Sequence, residues 1–304
     1  MIGWGREISG DLPAAERREW LCANGIGGYA SGTIAGSLTR RYHGLLVAAL
    51  DPPLGRTLLV AKADEIVTYD GRALPLATNR WAGGAIEPRG HAAIERFALN
   101  GTTPMGTYAV ADALIEKRVW MEPGANTTYV RYQVLRARGP VGLQLGLLVN
   151  YRDYHAMTRG DGWCMDIAAV RHGLRVIAYG GARPLLLLAD RGDARIAHTW
   201  YRGFDLPRER ERGLDAAEDH LHAATFQASL EPGQTLTLVL STEPTPSLGG
   251  EGPGAVAPVT TRRFMPPGAA PSRRPSARRP GSASWCGTWT SSSHGVRSPT
   301  IPTA

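Results

Sequence analysis

Apolar residues along this chain come in short runs broken by turn-forming residues, with no sustained helical period. The runs read as strands at Gly44–Leu50, Thr57–Tyr69, His91–Ala98, Thr107–Met121, Thr127–Ala137, Val141–Asn150, Gly162–Val170, Leu174–Tyr179, Leu185–Ala189, Ala194–Trp200, Leu221–Leu230 and Thr235–Ser241. Turn pairs such as Asp70-Gly71, Pro123-Gly124, Gly139-Pro140 and Pro232-Gly233 punctuate them. Tyr129 to Leu135 alternates imperfectly, as a half-buried strand does. One segment, Pro207–His220, reads as a helix: proline suits a first turn, and the charges of 208–212 suit a solvated surface. Many strands without intervening helices predict an all-β fold, a large antiparallel β-sandwich with one short helix.

Residues 24–44 break this rhythm. Gly25, Gly27, Gly28, Gly32 and Gly36 fall close together, and Thr39-Arg40-Arg41-Tyr42-His43 follows. Gly25-x-Gly27-x-x-Ala30 fits a dinucleotide-binding fingerprint, with Asp51 further on. That fingerprint needs a buried apolar strand before its first glycine. Here the preceding residues are Glu16-Arg17-Arg18-Glu19-Trp20, which are charged. The helix that should follow would carry Gly32 and Gly36, each costing about 1 kcal/mol relative to alanine. A nucleotide site is therefore not expected.

The same block resembles the start of bacterial and archaeal glycogen debranching enzymes, which open with W-x-x-x-N-G-x-G-G-Y-x-S-G-T followed by T-R-R-Y-H-G-L-L. Trp20, Asn24, Gly25, Gly27, Gly28, Tyr29, Ser31, Gly32, Thr33 and Thr39 to Gly44 match with the spacing intact. Further likeness lies at Trp200–Phe204, Arg212–Asp215 and Glu218–His220, so that it spans roughly 15–245. The resemblance implies a β-sandwich of the kind that precedes glucoamylase-like catalytic domains. It also implies an amylo-α-1,6-glucosidase in glycogen breakdown, working by inversion with both carboxylates on a barrel of paired helices and without a cofactor.

Charge separates the body from the tail. Seven arginines and no acidic residue fall in 262–304, so 27 of the 34 basic residues remain in 1–261, against 27 acidic ones. Any nucleic-acid or membrane affinity would rest on the tail alone. Cys22, Cys164 and Cys286 form no metal motif or disulfide framework. No apolar run reaches transmembrane length and the N-terminus lacks an apolar signal core, so a cytoplasmic protein is expected. The expected division is a sandwich over 1–248 and a linker with a disordered tail over 249–304. The Arg-, Pro-, Ser- and Trp-rich tail reads as GC-rich DNA translated out of frame. With suitable codons for Ser284–Ala304, the shifted frame gives an amphipathic helix like the entry to the family's helical domain. A genuine basic, disordered tail is the alternative.

Glycoside hydrolysis needs two carboxyl groups about one bond. Asp64 and Glu65 are neighbours in a strand and point to opposite faces. Asp215, Glu218 and Asp219 read as a solvated cluster, and His220-x-His222 has no evident third ligand for a metal. No catalytic, cofactor or metal residue is therefore assigned, and the resemblance places catalysis in a helical domain that this chain is expected to lack. Sugar recognition uses aromatic faces and planar polar groups. Asn24, Arg40, Arg41, Tyr42, His43, Arg152, Asp153 and His155 are the candidate substrate-binding residues. Tyr151–His155 is expected on a loop, and Trp200 and Phe204 are expected to pack. The expected partners are an α-glucan and the helical catalytic domain, with no nucleic acid or membrane. A free-standing carbohydrate-binding module is the rival reading.

Overall fold

The computed structural model describes residues 2–249. Its elements in chain order begin with β1 (Ile2–Trp4), α1 (Arg6–Ser9), α2 (Leu12–Glu16), β2 (Glu19–Ala23), β3 (Tyr29–Thr33), β4 (Gly44–Asp51) and β5 (Leu54–Tyr69). There follow β6 (Arg72–Pro75), β7 (Thr78–Arg80), β8 (Ile86–Arg89), a 3-10 turn (Gly90–Ala93), β9 (Ile94–Asn100), β10 (Thr103–Val110) and β11 (Ala113–Met121). The remainder are β12 (Thr127–Arg136), β13 (Val141–Asp153), β14 (Asp166–Val170), β15 (Gly173–Ile177), β16 (Leu185–Ala189), β17 (Asp193–Asp205), α3 (Pro207–Glu211), β18 (Ala217–Leu230) and β19 (Thr235–Ser241).

One antiparallel sheet runs β1-β9-β10-β11-β12-β19-β16-β15-β14. The other runs β17-β18-β13-β5-β4-β3-β2 with β6 added to β5, and β7 and β8 form a small ribbon. The sandwich expected from the sequence is present. Alternate residues of β13 (Leu143, Leu145, Leu147, Val149) join Val130, Tyr132 and Val134 of β12 and Leu236, Leu238 and Leu240 of β19 in the main core. Each fully buried side chain of this size contributes about 1.5–3 kcal/mol. Residues of opposite parity, Val47, Leu58 and Leu148, belong to a second cluster on the outer face of the β5-containing sheet. Phe204 and Leu206 cover that cluster. Glu65 turns inward to Lys117 and the Tyr132 hydroxyl, whereas Asp64 turns outward to Lys62 and Asn79.

The structure differs from the sequence reading at several elements. Thr107–Met121 is a hairpin, not one strand, and its turn at Ala111-Asp112 carries no glycine or proline. The helix read over Pro207–His220 stops at Glu211, because Gly213 (φ 73°) turns the chain and β18 begins at Ala217. α1 and α2 were not anticipated; Asp11 caps α2 by accepting from the Ala14 N–H at 2.7 Å. β13 and β17 run on through Asp153 and Asp205, aided by register shifts that let polar residues continue a strand. Tyr151, Arg152 and Asp153 are thus on a strand, not the expected loop. Residues 250–304, which hold the expected tail, lie outside the described residues.

Candidate functional site

The glycine block turns from β2 into β3 and works as a clamp. Asn24 Oδ1 accepts from the N–H groups of Ile26 and Gly28, and its Nδ2 donates to the Ala125 carbonyl and to Asn126 Oδ1. Asn126 in turn exchanges two hydrogen bonds with the backbone of Ala49. The clamp joins β4 to the turn that leads into β12 in the opposite sheet. A Cβ on Gly28 would sit 2.5 Å from Asn24 Nδ2, and one on Gly27 (φ 104°) 2.6 Å from the Pro53 carbonyl. Glycine is needed here for close approach between protein segments. Asn24 is 1% exposed, so the structure gives it a bracing position.

The other two candidate groups, far apart in sequence, come together on the outer face. Arg41 Nη1 donates to the His155 carbonyl at 2.6 Å, and Arg152 Nη2 donates to the Arg41 carbonyl at 2.8 Å. Tyr42 Oη lies 3.1 Å from His155 Nδ1, and the Tyr42 ring is 5.6 Å from that of Tyr154. Carboxylates beneath hold the guanidiniums. Glu209 of α3 accepts from Arg41 Nε at 3.0 Å and from its backbone N–H at 3.2 Å. Glu218 of β18 takes Arg152 in a two-pronged contact through Nε and Nη2. Glu209 and Glu218 are buried, as is Asp219, which accepts from the N–H groups of Gly160 and Gly203. The expectation that Glu218 and Asp219 are solvated is therefore corrected: they start β18, an internal strand of its sheet, and Thr158 and Gly160 donate backbone N–H groups to them.

Burial raises the Glu218 pKa against the pull of Arg152, and lowers that of the enclosed His220 well below its ordinary value. At the surface, hydrogen bonds from His43 and Arg40 hold Glu19 down to about 2 despite partial burial. His43 is buried; its Nδ1 accepts from the Thr39 N–H, so Nε2 carries the proton that faces Glu19 at 3.5 Å.

The eight candidates thus fall into two sets. Asn24, Arg41, His43 and Arg152 are occupied in bracing. Arg40, Tyr42, Asp153 and His155 reach solvent to different degrees. Beside them is an open cleft of about 240 Å³ bordered by Glu19, Trp20, Leu21, Tyr29, Ser31, Arg40, Tyr42 and His43. It offers a phenol, a guanidinium, a hydroxyl and an exposed leucine. The carboxylates at hand are engaged: Glu19 with Arg40 and His43, Glu209 with Arg41 and Arg212, and Glu218 with Arg152. Sequence reasoning missed Glu19 and Glu209; Glu209 was hidden in the alternating charges of 208–212. Phe204 packs on Trp81 at 4.5 Å and Trp200 on Trp163 at 5.8 Å, as expected of large aromatics. Among the described residues no group of three or more His, Cys, Asp or Glu is placed to hold a metal ion, and no helix is long and apolar enough to cross a membrane.

A family model described as "Glycogen debranching enzyme N terminal" matches residues 18–237. No curated protein matches the chain.

Proposed function

The chain belongs to the family of glycogen debranching enzyme N-terminal domains, and from that premise we propose that its sandwich is the non-catalytic, glucan-holding part of such an enzyme. Cleavage of α-1,6 branch linkages is assigned to a separate helical domain, which this sandwich braces. The domain proposed for residues 1–248 suits the packing of Leu248 on the cluster of Trp120, Tyr129, Leu188 and Val239. A cytoplasmic setting follows from the same assignment, because glycogen is stored there.

One observation carries the reading. Segments 40–43 and 152–155 meet so that buried carboxylates fix Arg41 and Arg152, and this leaves Tyr42 and Arg40 bordering a cleft, with His155 against the Tyr42 hydroxyl. A rigid phenol and a held guanidinium suit a sugar ring and its hydroxyls. Glu19, Glu209 and Glu218, tied to arginines, suit positioning better than proton transfer.

Calorimetric titration of the purified chain with maltohexaose tests this. Binding in the millimolar range is expected, and Tyr42→Ala should weaken it about tenfold, or about 1.4 kcal/mol. Equal affinity of the variant and the parent would remove the cleft from the reading.

A further inference from the structure

The outer face of the β5-containing sheet changes character away from the cleft. Around β13 it is neither apolar nor strongly charged. Thr68, Gly142 and Ser229 share one cross-strand row, and Ile66, Gln144, Gln227 and Asp193 the next. The third row is Asp64, Gly146, Thr225 and Arg195. A solvated antiparallel face is ordinarily filled by long polar side chains. Here the middle strand presents Gly142, Gln144 and Gly146. A glycine inside a strand weakens it and often marks a bulge, a bend or a close approach by a ligand or another backbone; a Cβ on Gly142 would sit 3.2 Å from Thr68 and one on Gly146 3.2 Å from His222 Nε2.

The result is an open groove of about 330 Å³ lined by Thr68, Gly142, Gln144, Asp193, Gln227 and Ser229. Gln227 Nε2 donates to Gln144 Oε1 at 2.9 Å, which orients both amides and uses only part of their capacity. Towards α3 the groove meets a wall of rings. His222 Nε2 lies 3.0 Å from Thr225 Oγ1, and Tyr201 stands nearly edge-on to His222 at 5.4 Å. Trp81 follows, 6.5 Å from Tyr201.

We propose that this groove is a second carbohydrate contact, separate from the Tyr42 cleft, that takes a neutral α-glucan chain along β13 with Gln144 and Gln227 as its hydrogen-bonding pair. The glucan identity rests on the function proposed above; the preference for a neutral polyhydroxyl chain rests on the groove itself. The one charged residue in its lining is the carboxylate of Asp193, which disfavours phosphate and nucleic acid; Arg195 stands in the next row, outside the lining. An apolar protein surface laid on it would strand two amides and two hydroxyls, each costing about 1–3 kcal/mol when left unpaired. A chain of diols pairs them and can rest on the rings at the far end.

The chain has four glutamines, at 133, 144, 227 and 234, so a side-chain amide spectrum of the full protein labelled with ¹⁵N-glutamine reads the groove directly. On titration with maltohexaose, the Gln144 and Gln227 signals should move and those of Gln133 and Gln234 should stay. Tyr42→Ala should leave those shifts in place. A Gln144→Ala, Gln227→Ala double variant, altered only at the surface, should lose about tenfold in affinity for the sites that remain in Tyr42→Ala. The proposal is overturned if both signals stay still while Tyr42-dependent binding persists. It is equally overturned if the shifts vanish in Tyr42→Ala, or if they follow protein concentration without sugar, which would mark contact between copies. Shifts that persist where no Tyr42-dependent binding exists would support the groove and count against the cleft.

Discussion

Arg152 shows how single residues prepare the surface without touching it. Its guanidinium, with the side chain only 4% exposed, is held by a carboxylate that is 1% exposed. Removing one partner of such a buried pair strands the other charge, at about 3–5 kcal/mol. Arg152→Ala should therefore lower unfolding free energy in urea by that amount, while Arg152→Leu with Glu218→Leu should recover a large part of it. A double variant no better than the single one would contradict this account. His220 makes a second expectation. It is enclosed and neutral, with a pKa well below 6.5. As pH falls through 6.5 the unfolded chain gains a proton that the folded histidine refuses, so stability falls. Glu218, with a raised pKa, acts in the opposite sense, adding stability as pH falls towards 4.5. Urea midpoints between about pH 7.5 and 5.5 should slope downward in the parent and less so in His220→Asn. Glu19 adds a loss further down: its pKa of about 2 against an ordinary 4.5 stabilises the fold above pH 4.5, and that contribution fades between those values. The sequence singled out Arg41 and Arg152, but not their partners. Glu209 and Glu218 look solvated when read locally, and only the fold buries them.

At the scale of elements, the glycine turn and its asparagines behave as one unit. Gly27→Ala combines a left-handed backbone with a contact of 2.6 Å, so a thermal midpoint several degrees lower is expected. Asn24→Ala should destabilise by about 1–3 kcal/mol, since it strands the N–H groups of Ile26 and Gly28. Maltohexaose affinity per folded molecule should be unchanged; a specific loss would return Asn24 to the contact surface. Strands with clear turn punctuation, such as Leu185–Ala189 and Thr235–Ser241, were legible to the residue. The β10–β11 hairpin was not. Its turn uses Ala111 at φ 52°, a conformation that alanine does not advertise. Strand continuation through Arg152 and Arg202 was hidden for a related reason: polar residues can stay in a sheet when register shifts re-aim them.

The described residues form two large sheets and a small ribbon, and the place of β19 decides how the first of these sheets is assembled. The last strand of the described chain lies in the middle of its sheet, between β12 and β16. Ending the chain at 234 should leave both of those strands as open edges, which favour association. Residues 1–234 should therefore elute as aggregate on size exclusion where 1–248 elutes as a discrete species. The same placement sets a timetable during synthesis. β12 ends at Arg136 and waits for a partner that begins at Thr235. At roughly 5–20 residues per second, that wait is about 5–20 s on the ribosome. For that time a half-made sheet stands open in the cell, a natural occasion for a chaperone.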